Sequence, residues 1–222
     1  MLIAIDTSTR QMGVALFDGV QILSEMTWQS QQYHTVELAP TVAALMERAE
    51  ISMSELDVVA VALGPGSFTG LRIGISLAKG MALAGRLAIV GIPTLDILAA
   101  AQPIDKIPMA AVLQAGRGRL AVGWYKNSSG KWKSDHKVQV FTPQDLSEQI
   151  KSPTYVVGEL SEEERRLFRR KRKNVTLASP AQSLRRPSFL AELGWRRWQK
   201  RTVDNPATLA PSYLHYDQTS SS

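Results

Sequence analysis

Apolar and polar positions in the first sixty residues follow two different periods. Short apolar runs at residues 2–6, 12–18 and 20–28 predict three consecutive strands, and Asp18-Gly19 at the second junction is typical of a hairpin. From residue 35 the apolar positions are spaced as in an amphipathic helix, at 38, 42, 45, 46 and 49. The pattern therefore predicts a three-stranded meander followed by a helix that ends near residue 50.

A glycine-rich corner at residues 63–74 joins the next apolar run, residues 57–62, to a second helix. Gly64 and Gly66 flank a proline, so the backbone can turn sharply there, and Ser67 or Thr69 can cap the helix that follows. A strand at 87–91 and a helix from Thr94 to residue 101 complete this half of the chain.

The helix after the corner has one face almost without side chains. Gly70, Gly74, Ala78 and Ala82 recur at a spacing of four, so another backbone can come very close to this stripe. The glycines, with Gly80, reduce the helix propensity by about 2–3 kcal/mol relative to alanine. Close packing within the domain or docking of a second protein would account for the stripe.

The second half repeats this order in degraded form. Apolar runs at 109–114, 119–125, 138–141, 154–157 and 174–177 predict strands. Helix starts are predicted at Thr142-Pro143, at a capping box opened by Ser161 and at Ser179-Pro180, with a last helix at 189–200. We therefore expect two α/β units related by duplication, at 1–103 and 104–222, in an actin-like ATPase (ribonuclease H-like) fold whose second lobe is reduced.

The turn after the first strand is the candidate site for phosphate chemistry. Asp6, Thr7, Ser8 and Thr9 place a carboxylate and three hydroxyls at a strand end, where backbone N–H groups and hydroxyls can hold phosphate and Asp6 a metal ion or water. An actin-like ATPase needs a second such turn. No later aspartate is followed by the glycine and hydroxyl pattern, and the chain contains no Gly-Gly pair.

The net charge of +6 is unevenly distributed. Residues 1–100 carry 5 basic and 9 acidic side chains, a net charge of −4, whereas residues 161–201 carry 13 basic and 4 acidic ones, a net charge of +9. The basic run at 165–173 is either a solvated helix end or a nucleic-acid contact. The absence of cysteine excludes disulfides, thiolate zinc sites and a cysteine nucleophile. With no apolar run near the ~20 residues of a membrane span, we expect a cytoplasmic protein without membrane contact.

Two motifs together resemble the TsaB (YeaZ) family of tRNA threonylcarbamoyladenosine biosynthesis proteins, which is related to the TsaD glycoprotease-like family. They are Ile-Ala-Ile-Asp-Thr-Ser-Thr at residues 3–9 and Gly-Pro-Gly-Ser-Phe-Thr-Gly-Leu-Arg-Ile-Gly at residues 64–74. The chain departs from the family pattern at residues 114–120, where an Asp-Ala-Arg motif is usual, and at residues 211–215, where His215 replaces a terminal arginine.

The resemblance implies a non-catalytic subunit without a cofactor, in which the turn at Asp6 is vestigial. It would pair with a TsaD-like catalytic paralogue and, with a TsaE-like ATPase, act on tRNAs that read ANN codons, forming a homodimer when the paralogue is absent. The helices at 35–48 and 69–84 would form the pairing surface, through Thr35, Leu38, Val42, Leu45, Gly66, Ser67, Phe68, Thr69, Gly70, Arg72, Ile73, Gly74, Leu77, Ala78 and Met81.

This assignment predicts that Gly74→Leu or Ala78→Leu disrupts pairing more than folding. The alternative is a small-molecule kinase or ATPase that uses Asp6. A metalloprotease and a metal site are disfavoured, because His34, His136 and His215 are too far apart in sequence to form a His-x-x-x-His motif.

Overall fold

The computed structural model describes residues 1–31 and 34–214, without the side chains of His34 and His136; His215 of the terminal motif lies outside the described residues. The first half contains β1 (Leu2–Asp6), β2 (Gln11–Phe17), β3 (Ile22–Gln29), α1 (His34–Arg48), β4 (Val58–Gly64), α2 (Phe68–Gly85), β5 (Ala88–Pro93) and α3 (Thr94–Ala100). The second half contains β6 (Met109–Gly116), β7 (Arg119–Ser128), β8 (Lys131–Phe141), α4 (Pro143–Gln149), β9 (Thr154–Gly158), α5 (Glu162–Arg169), β10 (Val175–Leu177) and α6 (Pro187–Gln199).

The two halves form separate sheets with the same topology. The first sheet has the strand order β3-β2-β1-β4-β5 and the second the equivalent order β8-β7-β6-β9-β10. In each sheet the first three strands pair antiparallel, and the fourth and fifth pair parallel to the strands beside them. Each half thus has three strands, a helix, a strand, a helix, a strand and a last helix, as expected for a duplication.

The last helix of each half packs against the sheet of the other half. Leu190 and Ala191 of α6 lie in the core with Leu2 and Ala4 of β1. Leu95, Leu98 and Ala99 of α3 lie in the core of the second sheet with Met109 and Ala111. The expected division at residue 103 therefore separates the two sheets, but it assigns α6 to the second lobe although α6 covers the first sheet.

The segment after α6 stays on the first lobe. Asp204 forms an isolated bridge with Ile89, and Leu209 is buried in the core between the first sheet and the helices α1 and α2. The Ser212 N–H donates to the Leu63 carbonyl at 2.7 Å. Residues 104–222 are therefore not one continuous lobe.

Capping residues account for the helix ends in the second lobe. Ser161 and Glu164 form the predicted capping box of α5. The predicted helix start at Ser179-Pro180 is wrong, since Ser179 and Gln182 exchange side-chain and backbone hydrogen bonds that close a single turn. The last helix begins instead at Pro187, whose fixed φ suits the first helical position.

Candidate functional site

The glycine-rich corner presses against the turn that follows β1. Gly64 ends β4 with a φ of +110°, a backbone conformation that residues with a side chain rarely adopt. The Ser67 hydroxyl caps α2 by accepting from the Gly70 N–H at 3.2 Å. The Ser67 N–H donates to the Ser8 carbonyl at 2.6 Å. A Cβ at Gly66 would overlap that carbonyl, so glycine is needed for this close approach.

The small-residue stripe of α2 is occupied by this same turn. The Thr7 hydroxyl donates to the Gly70 carbonyl at 2.7 Å, and a Cβ added at Gly74 would overlap Oγ1 of Thr7. Ala78 and Ala82 are buried against the first sheet. Thr7 of the same lobe therefore fills the space that the missing side chains leave, which favours close packing within the domain over docking of a second protein at this stripe.

Asp6 belongs to a buried ionic cluster that joins the two lobes and is centred on Arg185. The Nε–H of Arg185, which precedes α6, donates to Asp6 Oδ2 at 2.8 Å, and Nη1 pairs with Glu159, which follows β9. Nη2 donates to Thr9 Oγ1 at 2.8 Å and to the Gln11 carbonyl at 3.0 Å. We call Asp6, Thr9, Glu159 and Arg185 the Arg185 cluster.

Burial and charge are balanced within the Arg185 cluster. The side chain of Arg185 is 1% exposed and that of Asp6 3%. Burial alone would lower the pKa of Arg185, but the carboxylates of Asp6 and Glu159 outweigh it and raise that pKa above its ordinary range. The guanidinium therefore stays charged and satisfies both carboxylates.

The remaining polar atoms of the predicted phosphate turn are also engaged. Asp6 Oδ1 accepts from the N–H of Ser8 at 2.8 Å and from its hydroxyl. The Ser8 hydroxyl lies 2.8 Å from that of Thr94 at the start of α3, and the Thr9 hydroxyl donates to Glu159 at 2.6 Å. The four residues lie together after β1, and their polar groups are engaged by one another and by other parts of the same chain.

The second lobe has a tight hairpin where an actin-like ATPase would have its second phosphate turn. Strands β6 and β7 are joined through Arg117 and Gly118, both with positive φ, as in the two-residue turns typical of hairpins. Gln114 near the end of β6 donates to Glu164 at 2.8 Å and to the Glu159 carbonyl at 3.2 Å. Residues 109–128, all of which the structure describes, contain no aspartate or glutamate, so this turn has no carboxylate of its own.

The predicted pairing residues divide between core and surface. Seven are buried in the first lobe: Leu38, Val42, Leu45, Gly70, Gly74, Ala78 and Met81. Eight are exposed or half-buried: Thr35, Gly66, Ser67, Phe68, Thr69, Arg72, Ile73 and Leu77. The guanidinium of Arg72 lies 4.8 Å from the centre of the Phe68 ring, which stacks on Tyr213 at 5.0 Å.

The solvent side of the same two helices carries a second set of small and apolar residues, which we call the outer face. On α1 it includes Val36, Ala39 and Ala43, and on α2 Ser76, Gly80, Leu83 and Ala84. Leu83 is 71% exposed, and a Cβ at Gly80 would meet nothing within 4 Å. An open groove of about 400 Å³ between the helices is lined by Thr35, Leu38, Ala39, Arg72, Ile73, Ser76 and Leu77.

The described part of the chain shows neither a metal site nor a membrane span. No group of three or more His, Asp or Glu side chains within residues 1–31 and 34–214 could hold a metal ion. None of the helices described is both long enough and apolar enough to cross a membrane.

Solved structures identify the fold. Two solved structures from Pseudomonas aeruginosa, an uncharacterized protein with similarity to peptidase YeaZ and YeaZ itself, superpose with TM-scores of 0.79 and 0.77. Both are 23% identical to this chain, and the superpositions cover 96% of it and 99% of theirs. The ethanolamine utilization protein EutJ from Carboxydothermus hydrogenoformans superposes with a TM-score of 0.52 over 86% of this chain and 89% of its own. The protein thus has the predicted actin-like ATPase fold, here with an arginine paired to the carboxylate of its first turn.

Sequence comparisons identify the family. The model of the family described as "TsaD: tRNA N6-adenosine threonylcarbamoyltransferase" matches residues 21–184. Relatives named tRNA threonylcarbamoyladenosine biosynthesis protein TsaB are 28% identical over 72% of this chain in Buchnera aphidicola and 32% identical over 58% of it in Bacillus subtilis. The alignments span 78% and 56% of those relatives. The chain belongs to the TsaD family, and its resemblance to the TsaB (YeaZ) members is confirmed.

Proposed function

We propose that the protein is a non-catalytic subunit of the machinery that forms threonylcarbamoyladenosine on tRNA, and that it pairs with a TsaD-like catalytic paralogue. The names of its relatives support the pathway. The observation that carries the non-catalytic role is the ion pair of Asp6 with Arg185, because it neutralises the carboxylate that an ATPase would use for a metal ion.

The alternative, a small-molecule kinase or ATPase, needs two phosphate turns and a free carboxylate. The tight hairpin at Arg117 and Gly118 takes the place of the second turn, and Asp6 already accepts hydrogen bonds at both oxygens. One of the solved structures is described as similar to a peptidase. No metal-binding cluster within residues 1–31 and 34–214 supports a metallopeptidase here.

The outer face of α1 and α2 is the surface that we assign to pairing. A glycine inside a helix costs about 1 kcal/mol relative to alanine, and no neighbouring atom that the structure describes requires one at Gly80. Ser76, Gly80 and Ala84 leave α2 open to a close approach on the side opposite Thr7, with the exposed Leu83 beside them. The same face would serve a second copy of this chain when the paralogue is absent. The complex would recruit a TsaE-like ATPase and act on tRNA.

A charge substitution on this face tests the pairing. Leu83→Arg should abolish co-purification with the paralogue without lowering the melting temperature, because Leu83 is 71% exposed and makes little contact within the monomer. Val20→Arg is the matched control, since Val20 is 84% exposed in the β2–β3 hairpin, outside the two helices, and should leave pairing intact. Equal co-purification of both variants would contradict the assignment of the surface. Stoichiometric binding of Mg-ATP in calorimetry, followed by turnover, would favour the kinase or ATPase instead.

A further inference from the structure

A basic groove lies at the end of the second sheet that is remote from the Arg185 cluster. It has a volume of about 580 Å³ and lies where β9 begins, at Thr154, whereas Glu159 follows the other end of the same strand. Its lining includes Trp124, Lys126, Lys133, Lys137 and Lys151. The groove is therefore a separate site from the ion pairs that join the lobes.

The four lysines of the groove are exposed cations. None of them forms an ion pair with any residue that the structure describes. Among the described residues that line the groove, Asp135 supplies the one carboxylate, and it accepts from the Lys137 N–H at 3.0 Å. Four positive charges against one negative charge make the groove attractive to an anion with several charges.

A second cluster of cations adjoins the groove at Thr154. The Thr154 N–H donates to the Asn174 carbonyl at 2.9 Å, and the Asn174 N–H donates to the Lys171 carbonyl at 2.8 Å. This places residues 169–173, five consecutive exposed cations at the end of α5 and in the turn after it, next to the groove. Helix α5 ends at Arg169, so its dipole accounts for that residue but not for the four cations beyond it.

An aromatic wall completes the groove. Trp124 is half-buried, and its indole N–H donates to Gln139 Oε1 at 2.8 Å, which fixes the orientation of the ring. Lysines spaced along a groove bind successive phosphates, and a fixed aromatic ring offers a surface on which an unpaired base stacks. A chain of phosphodiesters with accessible bases fits this combination better than an acidic polypeptide does.

We propose that the groove and the turn at 169–173 bind tRNA directly, with the backbone along the cations and an unstacked base against Trp124. The inference rests on the proposed function, since tRNA is the substrate of that machinery. It adds a binding site on this chain itself, in the second lobe and away from the outer face of α1 and α2.

Fluorescence anisotropy with a labelled tRNA transcript and the full chain tests the proposal. Changing Lys126, Lys133, Lys137 and Lys151 together to glutamine should weaken binding at least tenfold at 0.1 M salt. The slope of log affinity against log salt should fall by about 0.7–0.9 for each phosphate that the variant no longer neutralises. Changing Arg10, Arg48, Lys79 and Lys200 to glutamine removes the same charge from other surfaces and should weaken binding much less.

Trp124→Leu separates stacking from charge. It should weaken binding about fivefold or more while leaving the salt slope unchanged, and a melting curve checks that the variant is folded. The proposal is overturned if the chain does not bind tRNA, if the groove variant and the control variant weaken binding equally, or if polyglutamate competes as well as RNA does. The Leu83→Arg pairing test is independent of these results, so failure of RNA binding leaves the proposed function standing.

Discussion

Replacing Arg185 by methionine tests the Arg185 cluster most directly. The change removes the cation but keeps an unbranched apolar chain, and it leaves the buried carboxylate of Asp6 without its ion pair. Hydrogen bonds to Asp6, Thr9 and the Gln11 carbonyl disappear with it, as does the pair with Glu159. Breaking a buried ion pair by removing one partner costs about 3–5 kcal/mol. We therefore expect the melting temperature to fall by roughly 6–20 °C, at 2–4 °C per kcal/mol for a chain of this size.

The chain offers a matched control in the next residue. Arg186 also pairs with a carboxylate, that of Glu25, but its side chain is 53% exposed. Arg186→Met should cost about 1 kcal/mol or less, because solvent screens exposed pairs. Urea unfolding of both variants, of Asp6→Asn and of the Asp6→Asn, Arg185→Met double variant would measure the coupling. A cost for Arg185→Met no larger than that for Arg186→Met, or strict additivity of the two cluster substitutions, would refute the reasoning.

Two further predictions concern α2 and Glu25. Gly74→Ala should lower the free energy of unfolding by about 1–3 kcal/mol, because the added Cβ would overlap Thr7. Gly80→Ala should raise the free energy of unfolding by up to about 1 kcal/mol, because the added Cβ meets no atom within 4 Å. Urea unfolding measures both changes, and equal effects would contradict the packing described. Burial alone would raise the pKa of Glu25, but hydrogen bonds from Arg186 and Ser188 hold that pKa below its ordinary value of 4.5. Glu25→Gln should therefore destabilise the protein at pH 7, and unfolding curves should converge with wild type as the pH falls well below 4.5, whereas a constant difference would contradict this origin.

Local signals in the sequence predicted the order of elements well. The hairpin at Asp18-Gly19, the cap at Ser67 and the capping box at Ser161 each depend on residues a few positions apart, and each element lies where it was expected. The same locality explains why the twofold repeat of the chain was visible without a structure.

The face of α2 that packs inside the lobe could not be predicted locally. Gly70, Gly74 and Ala78 form one small-residue stripe, while Ser76, Gly80 and Ala84 form another on the opposite side of the helix. Both permit a close approach, and the fold alone determines which one Thr7 covers. The pairing surface that we propose stays on the two predicted helices, but the stripe that the sequence singled out is buried.

Arg185 was missed for a similar reason. It lies 179 residues from Asp6 and is one of two adjacent arginines in a strongly basic half of the chain. Its neighbour Arg186 is exposed, so residue type and spacing alone do not distinguish them. A weak signal was available, because a buried carboxylate at Asp6 with no cofactor requires a cation from elsewhere in the chain.

The exchange of last helices between the two sheets has a consequence for synthesis on the ribosome. One side of the first sheet, with Leu2, Ala4 and Ala60, is covered by α6 together with Ile97 of α3, so its cover is incomplete until α6 has left the exit tunnel, after the strands of both sheets have been translated. The first sheet therefore stays partly uncovered until α6 has been synthesised. Each half contains a complete copy of the repeated topology, yet one side of its sheet packs against a helix that belongs to the other half.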